Sequence, residues 1–188
     1  LKDSYPEIKA YVRLQPVAMQ QKVMIRSGDK TLYWQDIYIV DENIFEVFSH
    51  KILYGDPRTA LKDPASAAVS ETFARKYFGN ANPIGKVINV DLGEMAPKKI
   101  SLVFRDLPEN THIKYNALFR LQGLPPAVNP RNMLFGVSNY TYLLLPESYD
   151  PDRYKAISES FYSRFMQDTG KVVGISWKSW LEPLAGIH

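Results

Sequence analysis

The stretch at residues 69–86, Val-Ser-Glu-Thr-Phe-Ala-Arg-Lys-Tyr-Phe-Gly-Asn-Ala-Asn-Pro-Ile-Gly-Lys, constrains the fold more than any other part of the chain, because it specifies a helix that has to be short. Ser70 is an N-cap whose hydroxyl can accept from a first-turn amide, and Glu71 beside it suits the positive end of the helix dipole. Phe73 with Tyr77, and Ala74 with Phe78, stand four apart and line one side, while Arg75 and Lys76 fall in the last turn, where cations are favoured. Gly79 supplies the left-handed residue that commonly ends a helix, and Asn82-Pro83 prevents the helix from resuming. A strand at residues 67–70 feeds this helix, and the alternation of Val87-Ile88-Asn89-Val90 starts another. Phe73 and Tyr77 are therefore expected to be buried and Gly79 to have positive φ.

Gly79 and Gly85-Lys86 look like the two ends of a Walker A phosphate loop, but the spacing refutes it. Five residues separate the glycines where the motif has four, Val87 stands where a Ser or Thr must ligate magnesium, and the glycines follow a helix instead of opening one.

Before this stretch the chain reads as mostly β. Ile8, Ala10, Val12 and Leu14 alternate with polar residues up to Pro16, and residues 23–26 and 31–34 flank the turn Ser27-Gly28-Asp29-Lys30. Residues 36–40 continue as a strand, and Asp41-Glu42-Asn43 offers caps for a short helix carrying Ile44, Phe45, Val47 and Phe48. Gly55-Asp56-Pro57 is a breaker, and residues 59–62 suit one helical turn. Residues 87–90 and 100–104 are expected to pair across a loop at 91–99, which makes the middle third a compact α+β unit.

Residues 113–121 read as a β-like run, and Pro125-Pro126 with Asn129-Pro130 as an extended crossing. Residues 140–145 read as a well-buried strand from their apolar run. A long helix follows, with Asp150 as N-cap, Pro151 at the first helical position, an apolar stripe of Tyr154, Ile157, Phe161 and Phe165, and Gly170 as its stop. Val173, Ile175, Trp177 and Leu181 would share one face of a final strand, giving a βαβ crossover.

The 23 basic and 20 acidic residues are interspersed without a basic block of five, so the net charge of +3 carries no nucleic-acid surface. The absence of cysteine excludes disulfides, thiolate catalysis and Cys-type metal sites. No apolar run approaches the roughly 20 residues of a membrane helix. With neither a starting Met nor a signal peptide, and an abrupt stop at His188, the chain reads as a segment of a longer protein.

Only three histidines occur, His50, His112 and His188, without metal-ligand spacing. His112, with Asp106 and Glu109 nearby, invites a general-base reading, but no nucleophile signature accompanies it; His112 and Asn110 are expected to tie a turn through backbone hydrogen bonds. Ser70 lacks the Gly-x-Ser-x-Gly frame. Of Tyr33, Trp34, Trp177 and Trp180, any could be an exposed anchor for a protein partner. The residues thus predict no catalytic, cofactor-binding or metal-binding site, and a noncatalytic α+β binding or structural module.

Several segments carry a family resemblance: Val-Asp-Glu-Asn-Ile-Phe-Glu-Val-Phe at 40–48, Leu-Tyr-Gly-Asp-Pro at 53–57, the 69–79 helix, and Asn-Pro-Ile-Gly-Lys at 82–86. In order and spacing they resemble the periplasmic core domain of MacB-like and FtsX-like ABC transporter permeases. Asp106-Leu-Pro-Glu-Asn-Thr-His112 resembles that family's Asp-x-Pro-x-x-Ser-His segment, and residues 181–188 resemble the lead into the second membrane helix. Leu102 stands where members usually carry Gly, which questions the geometry of the 100–104 strand, and Thr111 replaces the usual Ser.

The resemblance implies an α+β fold in which a porter-like βαβ subdomain, residues 1–40 plus 120–188, is interrupted by a small α/β insertion at 41–119. It implies a position between the first and second transmembrane helices, on the periplasmic side of the bacterial inner membrane, and a role in passing mechanical motion from those helices and docking substrates or partners during export. The implied partners are the membrane helices, a cytoplasmic ATP-binding subunit or domain, a periplasmic adaptor or outer-membrane channel, and a second permease in a dimer; no cofactor and no nucleic acid are implied. Two other readings compete. A periplasmic solute- or peptide-binding module would need a deep apolar pocket, and a hydrolase would centre on His112.

Overall fold

The computed structural model describes residues 5–17, 22–121, 139–174 and 176–187. Its contacts divide the chain into two compact units. The larger holds Tyr11–Gly123 and Ser138–Tyr142; the other holds Leu1–Ala10, Leu124–Val137 and Leu143–His188.

The larger unit is built on a mixed sheet. Its strands are β1 (Ala10–Pro16), β2 (Val23–Ser27), β3 (Lys30–Trp34), β4 (Ile37–Val40), β5 (Ile52–Tyr54), β6 (Ser66–Ser70), β7 (Val87–Asp91), β8 (Met95–Phe104), β9 (Ala117–Arg120) and β10 (Tyr140–Leu144). The order is β10-β1-β4-β9-β6-β8-β7-β2-β3, with β5 joined to β8 off this path. The short helices α1 (Ile44–Val47) and α2 (Glu71–Phe78) complete the unit.

Side chains alternate across a strand, so a central strand has to be apolar on both faces. β6 meets this with small residues: Ala67 and Val69 join one apolar cluster with Phe73, Ile100, Val103 and Phe119, while Ala68 joins the opposite one with Leu14, Leu102, Phe104 and Leu118. The sheet therefore carries an apolar core on each face.

The helix α2 follows the sequence closely. Ser70 Oγ accepts from the Phe73 amide at 3.2 Å, Phe73 and Tyr77 are buried, and Gly79 has φ 62°. Its ψ of −124° puts Gly79 outside the left-handed helical region, in a conformation that only glycine adopts readily. Lys30 Nζ, from the first residue of β3, donates to the carbonyls of Lys76 and Tyr77 at the end of α2. Tyr77 Oη donates to the Ile25 carbonyl at 2.8 Å and accepts from Trp34 Nε1 at 3.1 Å. Tyr77→Phe removes both partnerships and leaves the indole N–H unpaired, so it is expected to cost about 1–3 kcal/mol in urea denaturation.

Three local expectations change. Residues 100–104 do not pair with 87–90: β7 pairs with residues 95–99 of β8, and 100–104 lie between β6 and β5. The turn is tighter than expected because Asp91 Oδ1 accepts from Gly93 N and Gly93 takes φ 99°. Asp41 does not cap α1; its carboxylate accepts from the backbone N, Nε and Nη2 of Arg13 at 2.7–3.0 Å, and Asn43 at the N-cap makes no side-chain cap bond. Leu102 is fully buried, with a register shift opposite it in β6; the close approach of backbones falls instead on Gly55, against Ser101 and Leu102.

β2 pairs with β7 and β4 pairs in parallel with β9, so residues 11–40 pack in the same unit as 41–119. The compact units divide near residues 10 and 123.

The C-terminal third departs most from expectation. β10 is not well buried: it stands at the end of the sheet, and Tyr140 and Leu144 are exposed. Asp150 is not the helix N-cap; its Oδ1 accepts from Asp152 N in a preceding turn, and the helix α3 runs Arg153–Phe161. A π-helical turn, Tyr162–Met166, joins α3 to α4 (Gln167–Val173), which ends at Gly174 with φ 71° and ψ 27°. Gly170 thus lies inside α4, and its carbonyl accepts from Gly174 N.

Along the expected stripe Ile157 is buried and Tyr154 and Phe161 are half-buried; the Phe165 side chain lies outside the described residues. Val173 ends the helix and residues 176–183 form no strand, so the expected βαβ crossover is not formed among the described residues. Pro125-Pro126 and Asn129-Pro130 also lie outside them.

Candidate functional site

The residues around His112 separate into different structural duties. His112 Nε2 lies 2.9 Å from Tyr142 Oη, a side-chain tie where backbone bonds were expected. Asp106 turns away to α2, where its carboxylate accepts from Thr72 N at 2.9 Å and Thr72 Oγ1 at 2.6 Å. Desolvation pushes the Asp106 carboxyl up, but the hydrogen bonds from Thr72 and Ser70, with the nearby charge of Arg75, together hold it below its ordinary value. Glu109 is exposed, and Ser70 is occupied with its cap. No acid, base and nucleophile converge there.

The more enclosed histidine is His50, which the sequence did not single out beyond its count. Its Nδ1 donates to the Phe48 carbonyl at 2.8 Å, and Nε2 then accepts from Tyr115 Oη at 2.5 Å. Phe45, Phe104 and Tyr115 surround the ring. Burial pulls His50 below its ordinary value of 6.5 and pushes Tyr115 up. Tyr142 is pushed up to about 12, first by burial and then by Tyr140 and Tyr38. A phenol shifted upward is a poorer nucleophile at neutral pH, so this cluster is built for packing.

His50 gives a pH signature. Its folded pKa is below the unfolded value, so the unfolded chain binds the proton first, and the stability due to neutral His50 is present above pH 6.5 and lost as pH falls below it. Replacing His50 by Asn should reduce the fall in unfolding free energy below pH 6.5; a slope equal to that of the original chain would refute this.

Among the described residues no group of three His, Cys, Asp or Glu could hold a metal ion. A cleft of about 460 Å³ lies between β5 and α2, lined by Leu53, Tyr54, Glu71, Arg75, Asn80 and Pro83 among others. Another, of about 510 Å³, is lined by Gln15, Val17, Lys22, Met24, Ile39 and Leu92 among others. Both open to solvent and mix polar with apolar groups, unlike the deep apolar pocket a solute-binding module would need. Of the aromatic anchor candidates, Trp34 is 6% exposed and belongs to the core, whereas Tyr33, Trp177 and Trp180 are 63%, 40% and 76% exposed. No helix among the described residues is long and apolar enough to cross a membrane.

A family model described as the MacB-like periplasmic core domain matches residues 2–160. The chain belongs to this family. Similar solved structures agree on the fold. A domain of a protein described as a permease from Porphyromonas gingivalis aligns with TM-score 0.70 at 19% identity, over 87% of this chain and 73% of that one. The periplasmic region of MacB from Actinobacillus actinomycetemcomitans aligns with TM-score 0.60 at 14% identity, over 93% and 80%. The extracellular domain of the noncanonic ABC-type transporter YknZ from Gram-positive bacteria gives 0.55 at 15%, over 87% and 78%. Comparison with curated proteins finds no match. The chain is thus a MacB-like periplasmic core domain, with the α+β fold of that family.

Proposed function

We propose that this MacB-like core domain transmits motion from the membrane helices of its permease and docks substrate or partner proteins during export. ATP hydrolysis falls to a separate cytoplasmic ATP-binding subunit or domain; a periplasmic adaptor or outer-membrane channel and a second permease complete the assembly. The observation that carries this reading is the adjacency of β1 and β10, the first and last strands of the sheet, with Lys9 N donating to the Leu144 carbonyl at 2.9 Å. A chain that enters and leaves a sheet on neighbouring strands suits a domain set between two consecutive membrane helices, and apolar cores on both faces let that sheet carry force. Motif order supports residues 41–119 as the insertion and 1–40 with 120–188 as the porter-like part, joined where β2 meets β7 and β4 meets β9.

In the full-length permease, replacing residues 11–121 by a flexible linker should abolish export while ATP hydrolysis stays within about two-fold. Export that survives the replacement would overturn the reading. Export unchanged by His112→Ala would eliminate a hydrolase.

A further inference from the structure

We infer that Tyr142 is a latch: seated, it fixes β10 to the larger unit, and unseated, it lets residues 140–142 leave that unit as a conformational step. β10 is a strand on which the chain passes between the two units, its residues up to Tyr142 belonging to the larger and those from Leu143 to the other. The bond from Lys9 N to the Leu144 carbonyl, at 2.9 Å, holds the end of β10 inside that other unit. The hold on the larger unit is lighter. None of the five residues of β10 is buried, whereas Ala10, Val12 and Leu14 of the neighbouring β1 are. A strand that covers so little apolar surface opens locally at low free energy.

The fastening to the larger unit is the Tyr142 side chain. It packs against the apolar cluster that holds Leu14 and Phe104, its ring centroid lies 5.0 Å from that of Phe48 and 5.5 Å from that of His112, and its Oη is 2.9 Å from His112 Nε2. Both partners are fixed without β10. Phe48 N donates to the Ile44 carbonyl at 2.9 Å, and the Phe48 carbonyl accepts from His50 Nδ1 at 2.8 Å. The loop at residues 105–116, which carries His112, is tied at its start by the Asp106 bonds to Thr72. At its end Asn116 N donates to the Asp36 carbonyl and the Asn116 carbonyl accepts from Ser70 N, both at 2.8 Å. Tyr142 therefore leaves and re-enters a socket that keeps its shape, and the backbone change falls at residues 142–143, near the end of an element, where hinges commonly lie. What the latch does in export rests on the transmission reading; its opening is a property of the domain alone.

The test is amide hydrogen exchange on the 188-residue protein, with and without sub-denaturing urea. The protected amides of residues 140–142 are expected to exchange about a hundred-fold or more faster than those of Ala67, Ala68 and Val69 in β6, at rates that low urea leaves unchanged. Tyr142→Ala should speed exchange at 140–142 by about ten-fold or more and leave the amides of Lys9, β6, β8 and β9 as they were. Tyr142→Phe keeps the ring and loses the His112 bond, so it should speed the same amides by about two- to ten-fold. Residues 140–142 exchanging only together with β6, at a common urea dependence, would overturn the proposal. So would a Tyr142→Ala variant that speeds β6, β8 and β9 as much as β10, since Tyr142 would then be an ordinary core residue, or one that changes no amide. Exchange is read on the domain alone and export on the full-length permease, so this proposal and the transmission reading fail separately.

Discussion

Phe73→Ala is expected to lower the unfolding free energy of the larger unit by about 3–5 kcal/mol, within the range for truncating a fully buried phenylalanine. The side chain has no exposed surface, and its ring centroid lies 4.6 Å from that of Trp34 and 4.9 Å from that of Tyr77. Removing it leaves a void between α2 and the sheet that cannot easily collapse. The helix is fixed at its start by Ser70, at its end by Gly79 and Lys30, and across by the Tyr77 bonds to Trp34 and Ile25. Phe73→Leu keeps most of the volume and should cost less, about 1.5 kcal/mol. Urea denaturation followed by Trp34 fluorescence checks both, because that indole touches the altered site. A loss below about 1 kcal/mol for the alanine variant would mean that α2 is not clamped as described.

Gly55→Ala should cost about 3 kcal/mol or more, although it adds one methyl group to a surface turn. A Cβ at this position would sit 2.3 Å from the Ser101 carbonyl oxygen and 2.9 Å from Leu102 Cα, both of them backbone atoms in a strand paired on two sides. Neither can retreat without breaking hydrogen bonds to β5 or β6. Gly55 also has φ 91°, which strains any L side chain by a further 1–3 kcal/mol or so. Gly28→Ala is the control: its φ of 56° is also positive, but a Cβ there would meet nothing within 4 Å. It should cost only about 1–2 kcal/mol. Equal losses in the two variants would show that φ alone matters and that the approach of β8 does not.

These two positions show what the sequence disclosed and what it withheld. The 69–86 stretch was legible because its determinants are local: a cap, an i,i+4 apolar pair and a glycine stop act within a few residues of each other, and the structure reproduces each. Gly55 was legible only as a breaker, since the strand it presses against lies more than 40 residues away. Asp41 shows the same limit: capping chemistry suited it, but Arg13 on a neighbouring strand competes for the carboxylate and takes it. In the C-terminal third the residue pattern suited burial, but burial needs a partner. β10 ends the sheet, and residues 176–183 form no strand among the described residues. The packing of His50 against Tyr115 was unreadable for that reason too, because 65 residues separate the pair.

The strand order has a further consequence in time. β4 pairs in parallel with β9, Ile37 opposite Ala117, and β2 pairs with β7, Ile25 opposite Val90, so β2 and β4, though each has one early neighbour in β3 and β1, find their second partners only after most of the unit has been synthesised. Closing such long loops has to precede the gain from the pairing, which places the unit among slow folders. Until residues 117–120 emerge, the side of β4 that later receives β9 is an open edge carrying Ile37 and Ile39, exposed to proteases and to other chains. The interval between the appearance of β4 and that of β9 is therefore when this domain most needs protection.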